Sequence, residues 1–297
     1  MKTERAYAKI NTYLNVVSKR DDGYHNIVSI MQTVSLCDLV HVTFSKAENT
    51  EISLSVIGND AVPCNERNLA WRAASAFLKR AGISAHVGIV IDKRIPMEAG
   101  LAGGSTDAAA VLRALYELAD APFSTSELYA VGATLGADVP FCIQGGACLV
   151  GGIGEELSAA PEMPHAYLVV ARAGEGVSTP AAYARLDRLY GDFSSVSSDG
   201  RYERILSAWQ RNDLAIEHFY NLFEEPVAKE RPMVSRIKAI MNDFGARKAM
   251  MSGSGPAVFG VFSSADLANA ACDHLLKSGA CAFVCEPCGK YRIAMEA

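Results

Sequence analysis

The stretch Pro96-Met97-Glu98-Ala99-Gly100-Leu101-Ala102-Gly103-Gly104-Ser105-Thr106-Asp107-Ala108-Ala109 carries the strongest chemical signal in the chain. It leads from a strand pattern through a glycine-rich loop into an alanine-rich helix. Glycines let backbone N–H groups converge without obstruction from Cβ atoms. The helix beyond leaves its first N–H groups unpaired, with the positive end of its dipole facing the loop. Together these features make a phosphate site from Pro96, Gly100, Leu101, Ala102, Gly103, Gly104, Ser105 and Thr106. The hydroxyls of Ser105 and Thr106 add donors that could reach a magnesium ion carried by a nucleotide. The competing reading is a tight strand-to-helix connection with Ser105 as an ordinary N-cap. More familiar nucleotide motifs do not fit. No GxxxxGK[ST] occurs, and no GxGxxG follows a strand. Asp243-Phe244-Gly245 spells a protein-kinase motif without the HRD catalytic loop that should precede it, so Gly245 reads as a helix C-cap.

A second constellation is Leu135-Gly136-Ala137-Asp138-Val139-Pro140-Phe141. An aspartate between a glycine-bearing helix end and a proline-locked apolar segment is held in one place with few water contacts, as a catalytic carboxylate must be. The alternative is a carboxylate that merely caps a turn. A third is Met251-Ser252-Gly253-Ser254-Gly255-Pro256-Ala257-Val258-Phe259, whose glycines would let a backbone close over a phosphate-bearing ligand, or simply turn the chain.

The elements that must position these groups can be read from periodicity. Ala6 to Leu14 alternates as a strand with Lys9, Asn11 and Tyr13 on one face and Ala8, Ile10 and Leu14 near the other. The polar loop Lys19 to His25 leads to strands over Ile27 to Leu36, Leu39 to Phe44 and Ile52 to Val56, in a mostly antiparallel sheet. Asn68 and Gly82 bracket a helix from Leu69 to Ala81. Val87 to Ile91 is a strand and Ala108 to Leu118 a helix. Ser124-Thr125-Ser126-Glu127 is a capping box for the helix ending near Leu135. Further on lie strands near Tyr167 to Ala171 and Ala257 to Phe262, and helices near Pro180 to Leu189, Val234 to Phe244 and Ala265 to Lys277. No βαβ rhythm repeats, which favours an α+β sandwich. The glycine-rich reversal Gly145 to Gly154 places a domain boundary shortly after it, giving domains 1–155 and 156–297. Asp192 to Gly200 reads as a low-complexity surface loop.

At 297 residues, 50% hydrophobic and 21% charged, the chain is long enough for about two ordinary domains. Twenty-eight basic against 33 acidic residues give a formal charge of −5, which argues against a general nucleic-acid binder and for a small-molecule partner. The longest apolar stretches, such as Ala166 to Ala171, fall far short of the roughly 18 residues a membrane span needs. Met1 to Arg5 leads into an alternating pattern and not into a secretory h-region, so the expected address is cytoplasmic. Eight cysteines are too few for a disulfide scaffold and are expected as reduced thiols. Cys281, Cys285 and Cys288 have a spacing seen at iron–sulfur clusters, but Cys281 to Cys285 itself reads as a strand at the end of the chain.

Taken together, the Lys-bearing first strand, the Pro96 to Thr106 loop and the Met251 to Phe259 loop resemble the GHMP kinase superfamily in order and spacing over nearly the whole chain. Within it, Ala8-Lys9-Ile10-Asn11, Arg20-Asp21-Asp22-Gly23-Tyr24-His25 and Gly136-Ala137-Asp138-Val139-Pro140 are similar to the branch acting on 4-diphosphocytidyl-2-C-methyl-D-erythritol in non-mevalonate isoprenoid synthesis. Ala102 and Thr106 depart from the more usual GLGGGSS form, and Ala102 matters if its position needs a positive φ. The resemblance implies an α+β, two-domain GHMP kinase fold with the active site in the inter-domain cleft. It implies ATP, carrying Mg2+, on the glycine-rich loop and a substrate with a cytidine diphosphate group opposite. It implies Asp138 as base for the 2-hydroxyl, Lys9 as its electrostatic partner, Asn11 near the acceptor, and Tyr24, His25 and Tyr183 framing the cytosine. A GHMP kinase acting on homoserine or mevalonate, or a silent nucleotide-binding relative, are the competing readings. The first would not need the Asp-Gly-Tyr-His segment, and retention of both Lys9 and Asp138 argues against the second.

Overall fold

The computed structural model describes residues 1–193, 196 and 199–291. The chain opens with two long strands, β1 (Lys2–Lys19) and β2 (His25–Lys46), paired antiparallel along most of their length. The two strands expected over Ile27 to Leu36 and Leu39 to Phe44 are thus one continuous β2. Elements β3 (Glu51–Ile57), α1 (Leu69–Ala81), β4 (Ala85–Asp92), α2 (Gly103–Leu118), α3 (Thr125–Leu135), α4 (Val139–Gln144), β5 (Ala147–Gly151) and β6 (Glu156–Ala159) follow. After these come β7 (Tyr167–Arg172), α5 (Thr179–Tyr190), α6 (Arg201–Trp209), β8 (Tyr220–Asn221), α7 (Glu224–Glu230) and α8 (Pro232–Asp243). The last elements are β9 (Lys248–Met251), β10 (Val258–Phe262), α9 (Ala265–Lys277) and β11 (Cys281–Cys285).

Two sheets result. The first has the order β3-β4-β2-β1-β8, with β5 on β2 and β6 on β5. The second has the order β11-β7-β10-β9. Pairing is antiparallel except for β3 with β4 and β1 with β8. Helices α1 to α4 cover the first sheet through an apolar cluster that includes Val40, Ile89, Phe77 and Leu112. A second cluster, with Val169, Leu186, Ile237 and Leu275, packs α5, α8 and α9 on the second sheet. A third joins the sheets to each other, through Ile10 and Ile30 from one and Val170 and Phe259 from the other. Among the described residues no helix is long and apolar enough to cross a membrane.

Local chemistry explains the helix ends that were legible in the sequence. Asn68 accepts from the Ala70 N–H at the start of α1, and Gly82, at φ +66, ends it. Ser124 and Glu127 form the reciprocal capping box of α3. Two local readings change. Helix α2 begins at Gly103, five residues before the alanine run suggested, so Ser105 lies inside its first turn and is not its N-cap. In β1 the pairing register shifts between Asn11 and Tyr13. That bulge reverses the face alternation: Tyr13 joins Ile10 in the core, while Leu14 faces the same cavity as Lys9 and Asn11. Four residues of the expected surface loop, 194, 195, 197 and 198, lie outside the described residues, and Phe193 within it is buried.

Candidate active site

A cavity of about 870 Å³ lies between the two halves of the chain. Its wall is formed by Lys9 and Asn11 of β1, Tyr24 before β2 and His25 at its start, the loop from Pro96 to Ser105, Asp138, Tyr183 and Asp187 of α5, and Gly253 with Ser254. The three constellations singled out in the sequence therefore face one space.

Helix α2 presents its N-terminus to that space. The first intrahelical bond runs from the Thr106 N–H to the Ala102 carbonyl at 2.9 Å, which leaves the N–H groups of Gly103, Gly104 and Ser105 without an intrahelical acceptor. Ala102 precedes the helix at φ 58, so the position does need the left-handed conformation. A side chain there costs about 1–2 kcal/mol relative to glycine. Pro96, Gly100, Ala102, Gly103, Gly104 and Ser105 line the cavity. Leu101 and Thr106 do not. Leu101 turns into the core and its carbonyl accepts from the Lys9 N–H at 3.1 Å. The Thr106 hydroxyl donates to the Tyr7 carbonyl at 2.8 Å and the residue is fully buried. Its commitment to β1 removes it as a donor to nucleotide or magnesium.

The third loop touches the first backbone to backbone. A Cβ on Gly100 would lie 2.2 Å from the Ser252 carbonyl oxygen, and one on Gly253 would lie 2.8 Å from the Gly100 oxygen. Ser252 Oγ donates to that Gly100 oxygen at 3.1 Å and accepts from the Asn11 N–H at 3.3 Å. Asn221, which the sequence reading missed, donates to the carbonyls of Met251 and Gly253 and holds the loop against β1.

Lys9 is buried, donates to Asn11 Oδ1 at 2.7 Å and lies 3.8 Å from Asp138 Oδ2. Asn11 in turn donates to Ser29 Oγ at 2.8 Å. Asp138 sits at the N-cap position of α4 but its side chain makes no capping bond, which removes the turn-cap alternative and leaves the carboxylate facing Lys9 and the cavity.

Beneath the glycine-rich loop lies a buried triad that sequence reasoning missed. Lys93 Nζ bonds Asp38 Oδ2 at 2.6 Å and Asp107 Oδ2 at 2.5 Å, while Asp38 Oδ1 accepts the N–H groups of Arg94 and Ile95. Burial alone would lower the Lys93 ammonium, and the two carboxylates more than offset that and hold it above its ordinary value. Burial pushes the Asp107 carboxyl above the usual carboxylate range against the pull of Lys93, and the Asp38 charge adds to the push. Removing one member would leave buried charge uncompensated, at a cost of about 3–5 kcal/mol. The available signal was an aspartate on the buried face of an otherwise apolar helix.

At the opposite end, His25 Nε2 bonds Asp187 Oδ1 at 2.7 Å, and Lys19 holds the other carboxylate oxygen at 2.7 Å. Burial would raise the Asp187 carboxyl, and the hydrogen bonds from Lys19 and His25 more than offset it and keep it below its ordinary value. The His25 ring stacks on Tyr183 at 4.7 Å and meets Phe193 edge-on at 5.4 Å. Tyr24 stands 59% exposed at the rim. All three expected rings thus line the cavity, with His25 covering one face of Tyr183 and Tyr24 exposed beside them.

Both halves of the chain match known families, the GHMP kinases N terminal domain over residues 68–146 and the GHMP kinases C terminal over residues 204–281. The cleft, the glycine-rich helix N-terminus and the two-sheet fold are those of this class of small-molecule kinase. The 4-diphosphocytidyl-2-C-methyl-D-erythritol kinase of Caldicellulosiruptor bescii is 39% identical over 262 residues, covering 88% of this chain and 89% of the relative. That of Gloeobacter violaceus is 41% identical over 286 residues, covering 95% and 93%. A crystal structure of 4-(cytidine 5'-diphospho)-2C-methyl-D-erythritol kinase superposes with a TM-score of 0.81 at 34% identity, over 97% of this chain and all of the other. The chain belongs to this family of GHMP kinases.

Proposed function

We infer that the chain is an ATP-dependent kinase that phosphorylates the 2-hydroxyl of 4-diphosphocytidyl-2-C-methyl-D-erythritol in isoprenoid biosynthesis. The observation that carries the reading is the place of the Lys9–Asp138 pair. It lies in one cavity between the glycine-rich helix N-terminus and the His25, Tyr183 and Tyr24 cluster. Phosphates at the N-terminus of α2 meet unpaired N–H groups and the positive end of the helix dipole. The nucleoside then extends toward Val62, Pro63, Leu69 and Met97, which line the same cavity. The acceptor lies across Lys9, with its cytosine against Tyr24 and the edge of His25.

In this arrangement Asp138 accepts the proton of the acceptor hydroxyl as its oxygen bonds to the γ-phosphorus. The bond from that phosphorus to the bridging oxygen breaks, and ADP leaves. The Lys9 ammonium, steered by Asn11, supplies positive charge where it develops on the transferring group, while the helix N-terminus does the same from the nucleotide side. Mg2+ brought with the nucleotide would neutralise phosphate charge. Of the two loop hydroxyls, Ser105 fronts the cavity and fits such an ion, whereas Thr106 is committed to Tyr7. The proposed address is cytoplasmic, where the eight cysteines are expected as reduced thiols.

The test is incubation with ATP and a panel of acceptors, reading ADP release and product mass. Phosphorylation of the cytidyl substrate, with mevalonate, homoserine and the uracil analogue rejected, is the expected result. Equal use of any of those three would remove the assigned substrate, and ATP binding without any product would leave a nucleotide-binding relative.

A further inference from the structure

Among the described residues, the segment of β1 that places Lys9 pairs with a strand on one edge only. Its pairing with β2 shifts register between Tyr7 and Lys9 and again between Asn11 and Tyr13, so the catalytic segment lies between two bulges. Bulges leave residues unpaired and bend the strand. On the other edge of β1, β8 pairs only with Tyr13 and Leu14 among the described residues. Unpaired backbone groups in a buried place must find partners elsewhere.

Tyr291 supplies two of them from the far end of the chain. Its hydroxyl accepts from the Tyr7 N–H and donates to the Arg5 carbonyl, both at 2.9 Å. Its backbone N–H donates to the Gln144 carbonyl at 2.9 Å, at the end of the short helix α4 that starts beside Asp138. Arg113 closes the group. Its guanidinium lies 3.6 Å from the Tyr291 ring centroid and donates to the Arg5 carbonyl at 3.1 Å and to the Cys142 carbonyl of α4 at 2.7 Å. The chain is brought here by bonds of residues 286 and 288 to Ser35 and Thr33 of β2. Gly145 gives the ring room, since a Cβ there would fall 2.8 Å from it.

Both reacting side chains are therefore rooted in elements that Tyr291 ties together. We infer that Tyr291 is a positioning residue for phosphoryl transfer, holding β1 at Arg5 and Tyr7 against α4 and so setting the separation of Lys9 and Asp138. The inference rests on the reading of Lys9 given above. Tyr291 lies outside the cavity lining, so its effect reaches the reaction through alignment and not through binding.

The variant Tyr291→Phe removes the hydroxyl and keeps the ring and the backbone bond. The expected result is a fall in kcat of about tenfold with both Michaelis constants within twofold, the signature of misalignment in the transition state. In a Lys9→Ala background the same change should lower the residual single-turnover rate by less than about twofold, because the group it aligns is gone. Thermal melting of each variant, followed by assay well below the midpoint, keeps loss of fold out of the comparison. Near-normal turnover of Lys9→Ala alone would overturn the reading of the site. Loss in Lys9→Ala together with unchanged kcat in Tyr291→Phe, or an undiminished Tyr291→Phe effect in the double variant, would overturn the role of Tyr291 only.

Discussion

The two ends of the cavity are built differently. At the phosphate end, backbone meets backbone: Gly100 touches Ser252 and Gly253, Leu101 bonds Lys9, and a buried lysine between two carboxylates underlies the loop. At the other end, side chains meet side chains, with Tyr24 exposed and a partly solvated Asp187 gripping the buried His25. The first arrangement has few ways to move and suits chemistry, which tolerates little misplacement. The second adapts to a base at modest cost and suits recognition. Substitutions at the first end should therefore damage turnover or the fold, and substitutions at the second should change affinity for one substrate.

The largest effect is expected at the centre. Asp138→Asn should keep shape and nucleotide affinity while losing on the order of 10²-fold or more in turnover. Lys9→Ala should overlap with it in a double-mutant cycle, because the two act as a unit. Near-normal turnover of Asp138→Asn would take it off the catalytic list, and full additivity would separate the pair.

Within the phosphate end, two glycines should part company. Gly100→Ala forces a Cβ to 2.2 Å from the Ser252 oxygen at a residue with φ +78, so a loss of about 1–3 kcal/mol in stability, together with ATP affinity, is expected. A Cβ on Gly104 meets only Leu69 at 3.6 Å, so Gly104→Val should stay folded and lose ATP affinity alone. Calorimetry with ATP and thermal unfolding read the two quantities. Unchanged ATP binding by folded Gly104→Val would reduce the loop to a connection.

At the recognition end, Tyr24→Ala and His25→Ala should raise the Michaelis constant for the cytidyl substrate, by about 1–3 kcal/mol for a lost stacking ring. ATP binding should stay near the parent value. Steady-state kinetics with each substrate varied would decide, and a matching loss for ATP would mean that the two ends are not separate.

The smallest effect concerns Asp187. Its carboxyl is held below its ordinary value, so its stabilising contribution is present above the unfolded pKa, near 3.9, and is lost as pH falls through the lower folded value. Asp187→Asn should therefore melt below the parent at pH 7, with the gap narrowing at pH 3. A gap independent of pH would mean that the charge of Asp187 contributes nothing.

Much of this was legible in the residues because it depends on local geometry. Helices α1 and α9 have the bounds expected from their period, and the capping box of α3 could be read from four residues. That a helix N-terminus follows the glycine-rich loop could be read for the same reason. The early start of α2 was hidden because Gly103 and Gly104 are poor helix formers, and here they begin a helix that packing sustains. The bulge after Asn11 was hidden because alternation in sequence assumes an unbroken pleat.

By itself the sequence determined which groups carry charge, which backbone positions are free of Cβ, where the capped helices α1 and α3 begin, and, through motif spacing, the class of reaction. Only the tertiary structure decided which of those groups meet. It turned the Thr106 hydroxyl to the Tyr7 carbonyl and stacked His25 on Tyr183. It also brought Asp38 to Lys93 across 55 residues and Tyr291 to Arg5 across 286. The reason is physical: a local pattern fixes φ, ψ and the face of an element, whereas the partner of a buried polar group is whichever complementary group packing leaves within bonding distance.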